Sequence, residues 1–162
     1  MHKSCSTLIF TWGNPSRGDD AIGPTIYDRL QQENLQSVEL LTDFQLQIEH
    51  ALDLENRQRI LFVDASISAA APFEFHRLKA TEDETYTTHA MSPESLLYVY
   101  NKVNRQPVMP AYMLAIRGYE FELGRPLSGK AKANLSQALE FIKRLVSSTE
   151  DWDRKASMLV RE

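Results

Sequence analysis

The chain has 162 residues, 43% hydrophobic and 25% charged, which suits one soluble globular domain that buries its own core. Eighteen basic against twenty-two acidic residues leave a net charge of −4, a balance that argues against a nucleic-acid-binding face, which needs a clustered basic excess. A single cysteine, Cys5, excludes an internal disulfide or a cysteine-rich metal site, and no apolar run approaches the roughly 20 residues that span a bilayer.

The first apolar run, residues 7–12, reads as a strand and is broken at once by Gly13-Asn14-Pro15, which is not the pattern of a signal peptide. The expected location is therefore the cytoplasm. The segment Gly13-Asn14-Pro15-Ser16-Arg17-Gly18-Asp19-Asp20 follows, with turn-formers, a basic residue and two adjacent carboxylates. A helix is expected over about 21–35, with Ile22, Ile26 and Leu30 at i, i+4 and i+8 and Pro24 in its first turn. A second strand covers 38–42, and a short helix covers about 47–55. The third strand, 60–64, is the continuous apolar run Ile60-Leu61-Phe62-Val63, the pattern of a strand covered on both faces. The fourth, 73–79, alternates apolar and polar residues and reads as an antiparallel edge strand. Ser92-Pro93-Glu94 reads as the N-cap, N1 and N2 of a third helix that continues through Leu96, Leu97 and Tyr100. A fifth strand covers 112–118. The last helix covers about 130–148, with Leu135, Leu139, Ile142 and Val146 on one face. Beyond it, residues 149–162 are charge-rich and weakly apolar, a loosely held tail.

This alternation predicts an α/β protein: a single-domain three-layer α/β/α sandwich over residues 1–148, followed by a charged tail. Its sheet is twisted, about five-stranded and mostly parallel, with one antiparallel edge strand.

In such a sheet, residues just past the carboxyl ends of neighbouring strands converge on one crevice. Asp20 follows strand one, Asp64 ends strand three, and His89 precedes the third helix. Two carboxylates and an imidazole, with coordination positions left open, suit a divalent transition metal and a catalytic rather than structural centre. Taken singly, each has a plainer reading. Asp19 or Asp20 can cap the first helix, Asp64 can be a turn-former, and His89 can be an ordinary loop histidine. His2, His50 and His76 fall at a terminus, on a helix and on an edge strand, and are set aside. The spacing of Gly13, Gly18 and Gly23 fits neither a dinucleotide fingerprint nor a P-loop, and no Gly-x-Ser-x-Gly elbow exists. A receiver-like phosphoryl-transfer domain wants a lysine ending strand five, where this chain has Arg117-Gly118.

With those residues assembled, the sequence resembles the hydrogenase maturation proteases, the endopeptidases that finish the large subunit of [NiFe] hydrogenases. The resemblance spans about residues 7–146. Its anchors are Gly13-Asn14-Pro15-Ser16-Arg17-Gly18-Asp19-Asp20-Ala21-Ile22-Gly23, Gln45-Leu46, Phe62-Val63-Asp64-Ala65, Thr88-His89-Ala90-Met91, and Gly118 to Gly124 with Leu127-Ser128. Ala21 stands where many members have glycine, and Ser92-Pro93 stands where a glycine often follows the histidine.

The resemblance implies that Asp20, Asp64 and His89 are ligands that recognise nickel, and that Asp43 matches a further acid of the family near the end of the second strand. The nickel, or another divalent metal in its place, is carried by the substrate and not tightly resident. The implied partner is the large-subunit precursor, whose C-terminal extension is cut near the cysteine motif that holds the nickel. Hydrolysis is either metal-assisted or driven by a carboxylate base, Asp20 or Asp43. Gln45 and Leu46, with the loop 80–89, border the expected cleft, and Gly13, Asn14 and Gly18 shape the turn beside it. The protein is expected to be monomeric, with no membrane or nucleic-acid partner. The other reading of the same fold is a non-catalytic nickel- or precursor-binding maturation factor.

Overall fold

The computed structural model describes residues 7–82, 91–105, 109–148 and 151–159. Five strands form one sheet: β1 (Thr7–Trp12), β2 (Val38–Asp43), β3 (Arg59–Ser66), β4 (Phe73–Arg77) and β5 (Ala111–Arg117). Their order is β2-β1-β3-β5-β4. β1 pairs in parallel with both β2 and β3, and β3 pairs in parallel with β5. β4 closes the far edge antiparallel to β5. The expected architecture is met, including the antiparallel edge strand.

All six residues of β1 are buried because the strand lies inside the sheet with both faces covered. Alternation along it splits the core in two. Ile9 points to one face with Leu61, Val63, Leu114 and Ile116, under α1 (Ile22–Gln31) and α3 (Gly129–Ser147). Leu8, Phe10 and Trp12 point to the other with Ile60 and Phe62, under α2 (Pro93–Asn104). Ser92 caps α2 as the sequence predicts, its hydroxyl accepting from the Ser95 N–H at 3.0 Å.

Three expectations are corrected. α1 stops at Gln31 rather than 35, because the Gln32 and Glu33 N–H groups bond back three residues and Asn34 turns left-handed at φ 54°. The short helix near 47–55 is a 3₁₀ turn, Ile48–Leu54, closed by reciprocal capping between Gln47 and His50. Within the tail expected to be loose, α4 (Trp152–Leu159) is anchored by two buried side chains, Trp152 at 3% and Ala156 at 5% exposure. The Trp152 indole N–H donates to the Leu145 carbonyl at 3.2 Å, and the Arg59 guanidinium lies 4.0 Å over its ring. Asp153 accepts from Tyr112 Oη and Arg77 Nη1, each at 2.7 Å. No helix among the described residues is long and apolar enough to cross a membrane.

Candidate active site

From β1 the sheet extends to β2 on one side and to β3 on the other, so the connections diverge at the carboxyl end of β1, the place where open α/β sheets bind their ligands. The turn 13–20 lies at this end. Gly13 has φ +152°, and a Cβ on it would lie 2.0 Å from the Asp20 carbonyl oxygen, so no side chain fits where the turn folds back. Its N–H donates to the Asp43 carbonyl at 3.1 Å, joining the turn to β2. Asn14 braces the loop through its side-chain oxygen, which accepts from the Ser16 N–H at 2.9 Å. The Asn14 N–H in turn donates to Asp20 Oδ2 at 2.7 Å, which pins that carboxylate to the turn before it. Gly18 has φ +53°, and a Cβ there would come within 2.3 Å of the Glu120 carbonyl oxygen.

Asp64 lies near the end of β3 and is half-buried. Its Oδ1 accepts from the Ala65 N–H at 2.8 Å, and the Trp12 side chain also bonds it. Burial, and then the charge of Asp20, push its pKa up to about 8 against the lowering effect of those two bonds. Asp20 and Asp64 therefore come together from two different elements.

Asp19, beside Asp20 in sequence, does something else. It is fully buried, and its carboxylate accepts from the N–H groups of Tyr119, Glu120 and Ser128 at 2.7, 3.0 and 2.7 Å and from the Ser128 hydroxyl at 2.8 Å. Burial alone would raise its pKa, but these bonds outweigh it and the net shift is downward. Asp19 ties the 13–20 turn to the loop after β5. It caps neither the 3₁₀ turn Gly18–Ala21 nor α1, which lack a side-chain cap altogether.

Asp43 ends β2, opposite Trp12 in register. Its Oδ1 accepts from the Phe44 N–H at 2.7 Å, and its Oδ2 lies 3.0 Å from His50 Nε2. His50, set aside in the sequence, thus meets one of the candidate acids. The signal that could have found it is its place three residues after Gln47, where it closes the capping pair. Gln45 is half-buried, whereas the Leu46 side chain, 1% exposed, packs into the core and offers a cleft only its backbone; its carbonyl accepts from the Met91 N–H at 3.2 Å. His89 lies outside the described residues, as do residues 83–88 of the loop expected to border the cleft. Among the described residues no group of three or more His, Cys, Asp or Glu is placed to hold a metal ion. Asp20 and Asp64 are two donors of the hard, oxygen type that accept a divalent ion alongside an imidazole.

Solved structures share this fold. A [NiFe] hydrogenase maturation protease, HycI from Thermococcus kodakarensis KOD1, superposes with a TM-score of 0.69 at 18% identity, over 89% of this chain and 94% of that one. The hydrogenase maturating endopeptidase HYBD from E. coli gives 0.67 at 22% identity, over 87% and 91%. A hydrogenase 2 maturation peptidase from Thaumarchaeota archaeon SCGC_AB-539-E09 gives 0.61 at 20% identity, over 86% and 96%. At these identities the likeness establishes the fold, and it covers most of each chain. No protein-family model and no curated protein sequence matches the chain.

Proposed function

We propose that this chain, built on the fold it shares with the hydrogenase maturation endopeptidases, is itself such an endopeptidase. It removes the C-terminal extension of a [NiFe] hydrogenase large-subunit precursor that already carries nickel. The observation that carries this reading is the pair Asp20 and Asp64 past the carboxyl ends of β1 and β3, near enough that the charge of Asp20 helps raise the pKa of Asp64, a pairing that a divalent cation would favour.

Nickel is here the cargo of the substrate, registered by Asp20, Asp64 and His89. Two carboxylates and an imidazole hold a borderline metal more loosely than the thiolates of the substrate do, so the ion is sensed and not extracted. With Asp20 and Asp64 engaged, Asp43 is the carboxylate left at the same sheet edge to act as base. It takes a proton from a water whose oxygen attacks the scissile carbonyl. That proton passes to the leaving amine as the C–N bond breaks, and Asp43 returns to its ionised state. Asp19 keeps the turn that presents Asp20 in place.

The test mixes purified chain with nickel-loaded and with nickel-free precursor and looks for the C-terminal peptide by mass spectrometry. Release from the loaded precursor alone is expected. Binding without release from either would make the chain a maturation factor that does not cut.

A further inference from the structure

We infer that His50 is a positioning residue for Asp43: held as its Nε2–H tautomer, the imidazole aims the carboxylate that takes the proton in hydrolysis. The inference rests on the peptidase reading and adds a residue outside the acid–acid–histidine set.

The tautomer follows from the partners. The Gln47 N–H donates to His50 Nδ1 at 2.8 Å, so that nitrogen offers its lone pair and the ring hydrogen sits on Nε2. Nε2 faces Asp43 Oδ2 at 3.0 Å. The ring packs edge-on against Phe10, with centroids 4.7 Å apart, and only 13% of the side chain is exposed, so it has little room to turn. The Phe44 N–H holds the other carboxylate oxygen at 2.7 Å. Asp43 is therefore fixed at both oxygens while 44% of its side chain stays open to solvent.

A carboxylate at the end of an edge strand otherwise samples several rotamers, and a base works only from the one that reaches the attacking water. Both nitrogens of His50 are engaged, so the ring has no free lone pair with which to act as base itself. Its effect passes through Asp43.

Two substitutions separate this role from simple capping of the 3₁₀ turn. In His50→Asn the short amide keeps an acceptor near the position of Nδ1 and loses the donor to Asp43. In His50→Gln the longer amide keeps a donor near the position of Nε2 and loses the bond to Gln47. Cleavage of nickel-loaded precursor is expected to fall roughly 10- to 100-fold in kcat for His50→Asn. KM should stay within about twofold, the mark of a group that acts on turnover and not on binding. His50→Gln is expected to keep turnover within about threefold of wild type despite a lower melting temperature, since the donor that orients Asp43 is retained. In an Asp43→Asn background, His50→Asn should add no further loss.

The reverse order, with His50→Gln impaired and His50→Asn near wild type, overturns the inference, as does an additive loss in the double variant. Wild-type cleavage by Asp43→Asn removes the base that His50 is said to position. A wild-type chain that releases no peptide overturns the peptidase reading itself and this inference with it, an outcome distinct from the others.

Discussion

Asp19 and Ser128 bond each other twice across 109 residues of sequence, the Ser128 N–H donating to Oδ1 at 2.7 Å and its hydroxyl to Oδ2 at 2.8 Å. The same hydroxyl accepts from the Ala131 N–H at 3.2 Å and caps α3. One buried carboxylate thus connects the turn carrying Asp20, the loop after β5 and the start of a core helix. Asp19→Asn turns an amide N–H₂ toward this ring of donors and should destabilise the protein by about 2–4 kcal/mol in urea unfolding.

The acid dependence of that contribution has a fixed sign. The pKa of Asp19 is lowered on folding, so its stabilisation is present above the unfolded value of 3.8 and is lost as pH falls through the folded value. The stability gap between wild type and Asp19→Asn is expected to be full at neutral pH and to narrow below about pH 4, read from urea midpoints across that range. A gap that does not narrow would place the effect in packing and not in charge.

Asp64 runs the other way. Its pKa is raised on folding to about 8 by burial and by Asp20, so its ionisation opposes folding increasingly as pH rises from about 4 to 8. Asp64→Asn should therefore raise the melting temperature of the metal-free protein, and by more at pH 8 than at pH 5, while precursor cleavage is lost. Such a trade of stability for function is expected where like charges are held together.

Gly13→Ala places a Cβ 2.0 Å from the Asp20 carbonyl oxygen at a φ of +152°. The turn must open, and the destabilisation should be about 3 kcal/mol or more, seen as a lower urea midpoint.

Trp152→Ala removes an indole that is 3% exposed and carries the Arg59 contact and the Leu145 bond. A cost of about 3–5 kcal/mol is expected in urea unfolding. A loss below about 0.5 kcal/mol, the range of an ordinary surface substitution, would restore the picture of a loose tail.

The sheet was legible because parallel strands covered on both faces read as unbroken apolar runs, as in Ile60-Leu61-Phe62-Val63, and the edge strand announced itself by alternation at Phe73 and Phe75. The nearness of Asp20 to Asp64 was legible because strand-end positions in such a sheet converge whatever the helices do. α4 was not, since Trp152 and Ala156 stand among charges and their burial depends on β4 and β5 being there to receive them. The Asp43–His50 pair was not legible either. Its spacing of seven residues has no meaning across a strand end, because Asp43 lies in β2, and the contact arises only when a 3₁₀ turn brings residue 50 back over the end of that strand.

The claim that Asp20 and Asp64 form the centre that reads the nickel is tested most directly by cleavage of nickel-loaded precursor with purified wild type, Asp20→Asn and Asp64→Asn, with folding of each checked by circular dichroism. The expected result is peptide release by wild type and none by either folded variant. Release at the wild-type rate by both variants would contradict it.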